Sequence, residues 1–308
     1  MLSGFFRVLH LYDVAEEIAL DQVRRMVPAQ PPVREPSFKH PAPDYVRFER
    51  PPVIEPGETI QLSTGERFQA RLKYFDYGVV SVELEAPFTA DWEQLVRLSS
   101  QWIASVELEQ KALALVQTRT QRVQKAFRQP YSQWLSEDYA IIHIEHANDA
   151  SGRPYTADEL IAEYGDYISR IVRGDSAALA PPEAAEALQS RLSYYPHDLI
   201  VAGWVAALVV DTAEAAIPAI QLLEYANTQL LEFRYYDERL TTVLAQVYKT
   251  LERRGGFLRR WRLAREADRL NAMRLDVIEL TERTDNAIKF LSDMFYARAY
   301  RIAAARVG

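Results

Sequence analysis

The sequence predicts an α+β fold in which a mostly antiparallel sheet with helices on one side is followed by a long antiparallel helical hairpin. Three patterns carry this expectation. FQARLKYFDYGVVSVELEAP, residues 68–87, alternates in hydrophobicity on both sides of a turn. Residues 90–128 contain neither proline nor glycine, as a helical segment would. From residue 212 onward the apolar residues step by four and three. The expected division is an α+β domain over 1–211 and a helical, coiled-coil arm over 212–308.

Taken in order, FFRVLHLY at 5–12 reads as a strand. Asp13 then reads as the cap of a short helix whose apolar positions are Ile18, Val23 and Val27. Residues 28–43 hold six prolines and form no regular element, so they read as a surface linker or crossing loop. YVRFERPPVIEP places a short strand ahead of Pro51 and Pro52. In the hairpin, one face carries Phe68, Ala70, Leu72 and Tyr74, then Val80, Val82 and Leu84, with Asp76 and Gly78 bracketing the turn. Thr89 is the expected cap of the following helix, which is long enough to contain a break.

YAIIHIEHA at 139–147 returns to strand alternation, and TADELIAEYG reads as a short helix with a Thr156–Glu159 capping box. Residues 173–198 read as a loop enclosing a small helix. LIVAGWVAALVV, 199–210, is one bent strand or two short ones, because Gly203 interrupts it, and twelve residues are too few to cross a bilayer. A split βαβ arrangement, duplicated, is the expected topology.

The arm has two seams. Ala219, Leu223, Ala226, Leu230, Phe233, Asp237, Leu240, Leu244, Val247 and Leu251 form the first, and Gly255 and Gly256 end it. Met273, Val277, Leu280, Thr284, Ala287, Leu291 and Met294 form the second. LLEFRYYDERL, 230–240, lies within the first seam, where Asp237 puts a carboxylate at an apolar position and is expected to pair with a base on the second helix. Off the seam, Arg234 and Glu238 are four residues apart, a pairing worth about 0.2–0.5 kcal/mol.

Composition allows a substantial core: 48% of the 308 residues are apolar, and 26% are charged. The absence of cysteine excludes disulfides, thiolate metal sites and cysteine nucleophiles. The net charge of −7 is polarised: residues 249–308 hold 14 Lys or Arg against 8 Asp or Glu, and the rest of the chain 22 against 35. Arg254, Arg259, Arg260, Arg262 and Arg265, interleaved with Phe257 and Trp261, form a basic elbow suited to RNA phosphates or an anionic membrane surface. No catalytic or metal motif is present. His143 and His146 point to opposite faces of a strand, so one ion cannot easily use both. Asp76, Tyr77, His143 and Glu145 are the group to inspect should the protein be an enzyme, and no small-molecule cofactor or metal is expected.

FDYGVV at 75–80, VVDTAEAAIPAIQLLEYANTQLLEFRYYDERLTTVLAQVY at 209–248 and ADRLNAMRLDVIELTERTDNAIKFLSDMF at 267–295 are similar, in that order, to the required-for-meiotic-nuclear-division family, defined largely by a domain of unknown function. The resemblance implies an α+β portion followed by long helices, which in many members precede a C-terminal hydrophobic anchor. Mitochondrial members are associated with the inner membrane and with support of translation. No catalytic residue carries over. This chain ends at Gly308 without an anchor, so the resemblance implies either a soluble member or, preferably, a chain stopping just before a membrane segment, on the cytoplasmic side. The expected function is that of a non-enzymatic assembly or scaffold protein, homo-oligomeric through its long helices. The alternatives are an RNA- or ribosome-binding module using the elbow at 254–265, and an enzyme with its site in the α+β domain.

Overall fold

In the computed structural model the described residues are 1–28, 51–149, 151–252 and 294–307, with scattered positions between 265 and 278. Among them an eight-stranded sheet has the order β2-β3-β4-β1-β5-β8-β7-β6. The strands are β1 (Leu2–Ile18), β2 (Val53–Gln61), β3 (Arg67–Tyr74), β4 (Val79–Ala90), β5 (Phe127–Ala147), β6 (Arg191–Leu192), β7 (Leu199–Ala202) and β8 (Ala206–Val210). The helices are α1 (Leu20–Met26), α2 (Trp92–Ile103), α3 (Val106–Val123), α4 (Ala157–Arg173), α5 (Pro181–Ala187), α6 (Ala213–Glu252) and α7 (Met294–Val307). All neighbouring pairs of strands are antiparallel except β5 with β8. The protein is therefore α+β with a mostly antiparallel sheet.

β4 and β5 both run antiparallel to β1 from opposite sides, so they are parallel to each other with β1 between them. Joined through α2 and α3, they form one split βαβ unit. The second half does not repeat it, because β8 and β7 both separate β5 from β6.

The period of two along each strand sorts side chains to two faces. Phe6, Val8, Phe68, Leu72, Val82, Leu84, Ile142 and Leu208 share one core with α2, α3 and α4. Trp102 of α2 is wedged there between Phe6 and Phe68, with ring centroids 5.0 and 5.1 Å away in edge-to-face geometry. Leu9, Leu11, Ile141, Ala207 and Val209 face the other way and share a second core with α6 and α7. The sequence placed helices on one side only. Both sides are covered, because α6 lies back over the sheet from its first turn, and Ala216, Ile220 and Leu223 are buried there.

Several boundaries differ from the sequence reading for identifiable reasons. Asp13 caps nothing: β1 runs through it to Ile18, and the short helix begins at Leu20. The strand expected ahead of Pro51 and Pro52 falls outside the described residues, and a further strand, β2, follows these prolines. Asp91 caps α2 instead of Thr89, in a reciprocal capping box with Gln94, and Ser105 restarts the helix as α3. The Thr156–Glu159 box forms as expected, although α4 continues to Arg173, where Gly174 in the left-handed region ends it. Gly203 divides LIVAGWVAALVV into two strands, β7 and β8.

β5 begins twelve residues before the expected Tyr139. Its first part pairs with the end of β1 through a wide bulge, since Asp13 faces Leu135 whereas Ala15 faces Pro130. The extra residues, 131–134, oppose Val14 alone and send Tyr131 and Trp134 out of register.

Gly78 closes the β3–β4 turn at φ 99°, and its carbonyl accepts the Val14 amide at 3.1 Å. A Cβ there would lie 1.7 Å from the Ala15 carbonyl oxygen, whereas one on Gly65, at φ 103°, would meet nothing within 4 Å. Gly65→Ala is therefore expected to cost only the backbone strain of about 1–3 kcal/mol. Gly78→Ala is expected to cost clearly more, because the hairpin tip must also separate from β1. Denaturant midpoints of the two variants check this.

Candidate functional site

On the sheet face beneath α6, the alternation that buries Leu72, Val82 and Leu84 on one side places Arg71, Lys73, Ser81, Glu83 and Glu85 on the other. Register sets these charges against one another: Arg71 faces Glu83 across β3 and β4, and Arg7 of β1 faces Glu85. Arg71 reaches Glu83 at 2.7 Å and Glu85 at 3.0 Å, and Arg7 reaches Glu85 at 2.6 Å. Lys73 bonds Glu83 at 2.6 Å and also Glu224, which descends from α6. The other Glu224 oxygen accepts from Ser81 at 2.7 Å. Three cations and three carboxylates thus cancel in a largely buried cluster, and only Glu224 comes from the helix.

Burial alone would push the Glu83 carboxyl up, but Lys73, Arg71 and Arg7 outweigh it and hold the group down at about 2. Lys73 is likewise kept protonated against burial by Glu224 and Glu83.

Farther along α6 the contacts remain polar. The Tyr77 hydroxyl, at the hairpin tip, shares a 2.7 Å hydrogen bond with Thr228. Tyr131, thrown out by the β5 bulge, stacks on Tyr235 with centroids 4.7 Å apart. Arg234 pairs with Glu137 of β5, not with Glu238. Within LLEFRYYDERL, Leu231 and Glu232 are buried against the sheet side. The first half of this stretch, up to Tyr235, therefore grips the sheet.

The predicted site residues fall into separate places. Leu223 is buried and Leu230 packs against the second core, but Phe233, Asp237, Leu240 and Leu244 are exposed. The side chains of Val247 and Leu251 lie outside the described residues, as do Met273, Val277, Leu280 and Leu291 of the second seam. The second helix of the expected hairpin is thus not among the continuous described elements, although α7 packs on α6. Arg254, Arg259, Arg260 and Arg262 also lie outside; Arg265 is exposed on a helical turn.

Asp76, Tyr77, His143 and Glu145 do not form one site. The Asp76 carbonyl bonds the Ile18 amide, while His143 pairs in register with Phe5. Those are opposite ends of β1, on the order of 40 Å apart at about 3.3 Å per residue. His143 Nε2 instead lies 3.0 Å from the Asp211 carbonyl oxygen. Among the described residues no group of three His, Cys, Asp or Glu could hold a metal ion. No described helix is long and apolar enough to cross a membrane.

Comparison with known proteins adds one family. Residues 3–216 match the family described as uncharacterized protein MJ0711, N-terminal domain. The chain belongs to that family. The match covers the sheet from residue 3 on and stops in the first turn of α6. The chain is also similar to the uncharacterized protein MJ0711 of Methanocaldococcus jannaschii, 21% identical over 143 residues, which is 46% of this chain and 44% of that protein. The matched part thus spans less than half of the relative's length. No solved structure matches.

Two outcomes follow from the buried polar contacts. Glu83 has a folded pKa below its unfolded one, so its stabilisation is present above about pH 4.5 and is lost as pH falls toward 2. Denaturant midpoints measured down this range are expected to fall. Thr228→Val is expected to cost about 0.5–1.5 kcal/mol by removing one of the two side-chain partners of the Tyr77 hydroxyl, the other being Gln229, and with Tyr77→Phe added the total is expected not to exceed the sum of the single losses. Chemical denaturation of the single and double variants reads both.

Proposed function

We propose that this protein is a non-catalytic assembly protein whose sheet domain presents the distal part of α6 to a second copy of the chain. The observation that carries this reading is a change of environment along one helical stripe. Ala219, Leu223 and Ala226 are buried, but Phe233, Leu240, Leu244 and Tyr248 of the same helix are 37%, 40%, 39% and 65% exposed. At 1.5 Å per residue the forty residues of α6 span roughly 60 Å. The part beyond Tyr235 accounts for about 25 Å of that length. An apolar stripe at four-and-three spacing, interrupted by Asp237, is the surface by which a helix takes a helical partner, the polar residue setting register at some cost in stability.

Charge at Leu240 or Leu244 is expected to abolish self-association without unfolding the sheet, since both side chains project away from the two cores. Light scattering behind size exclusion, over a hundredfold dilution of the parent, Leu240→Asp and Leu244→Asp, tests this. The reading requires a multimer of 35.3 kDa subunits for the parent and monomers for the variants, with unchanged sheet circular dichroism. A monomeric parent throughout the series overturns it.

A further inference from the structure

Asp13 occupies the face of β1 that carries Leu9 and Leu11, opposite Val79 of β4 and Leu135 of β5. It is 1% exposed, and among the described residues neither carboxyl oxygen has a hydrogen-bond donor. An ionised carboxylate in such a place is costly, whereas a protonated one behaves as a small neutral side chain. Among the described residues no hydrogen bond or ion pair compensates it. Tyr131, from the β5 bulge, senses the charges of both Asp13 and Glu232. Glu232 and Tyr235 come from α6, and Tyr77 from the hairpin tip is bonded to Thr228. The nearby cation of this part of α6, Arg234, is engaged with Glu137. Burial therefore pushes the Asp13 carboxyl up to about 8.

We propose that Asp13 is a proton-controlled latch: protonated, it lets the 228–236 stretch of α6 lie on the sheet, and ionised, it loosens that stretch and frees the distal helix to move. The geometry favours this stretch over the whole helix, because Glu224, two turns earlier, is held by the neutralised cluster of Lys73 and Ser81. A carboxyl that keeps its proton to about pH 8 when covered, and only to about 4 when hydrated, binds one more proton in the docked state between those values. Docking then weakens tenfold per pH unit as pH rises from about 4 to 8, and is level above. What the freed helix does for assembly rests on the function proposed above; the latch itself does not.

Hydrogen–deuterium exchange from pH 5 to 9, corrected for the intrinsic rate, reads the latch in the full chain. Protection of 228–236 is expected to fall about tenfold per pH unit up to about 8, while β4 keeps its protection. In Asp13→Asn and Asp13→Val that slope is expected to vanish. A pH-independent parent, an equal fall in β4, or an unchanged slope in a folded variant overturns the latch, and the parent series decides the matter even if a variant fails to fold. Light scattering of the same samples separates the two proposals. Multimers without a slope refute the latch alone, and a slope in a monomer refutes assembly alone.

Discussion

The contact between Glu224 and Lys73 is where the long helix is fixed to the sheet. Moving charges out of water costs several kcal/mol each, so a cluster of this kind is tolerable only when its members neutralise and hydrogen-bond one another. The sheet supplies three cations but, in Glu83 and Glu85, only two carboxylates. Glu224 is the third. A helix displaced by one residue along its axis would turn that carboxylate by about 100° and leave Lys73 with an unmatched share of charge in a buried place. Apolar contacts such as Ile220 and Leu223 hold α6 down without discriminating strongly between neighbouring registers; the ionic contact discriminates.

This constraint also explains why α6 behaves differently along its length. From Ala216 to Tyr235 it is docked, successively by small apolar residues, by Glu224, by Thr228 on Tyr77 and by Tyr235 on Tyr131. Past that point the side chains of Leu240, Leu244 and Tyr248 are exposed. The β5 bulge decides where docking ends, because it brings Tyr131 to the helix. Asp13 lies near the same place, and among the described residues it has no hydrogen-bond donor.

The sheet was legible where alternation and turn chemistry agreed. The hairpin of 68–87 is recoverable from Leu72, Val82 and Gly78. What the sequence hides is that the hairpin's charged face is covered. A polar face under a helix alternates just as a solvated one does, and the cation–carboxylate balance that makes covering possible involves Glu224, some 140 residues away. Asp13 misled for a related reason: an Asp before an amphipathic stretch signals a cap, and nothing local tells that it is buried inside a strand. The β5 extension was missed because Pro130 and the bulge break its period. The seam from Ala219 to Leu251 was legible as a stripe, but the stripe alone does not say which of its turns meet the sheet.

The measurement that bears most directly on the account is a double-mutant cycle on Lys73→Met and Glu224→Met, read by chemical denaturation. If the pair registers α6, each single variant leaves a buried charge uncompensated and loses about 3–5 kcal/mol, while the double variant loses much less than the sum. Losses that simply add, to within about 0.5 kcal/mol, would mean that the two groups do not act together and that α6 takes its place by apolar packing alone.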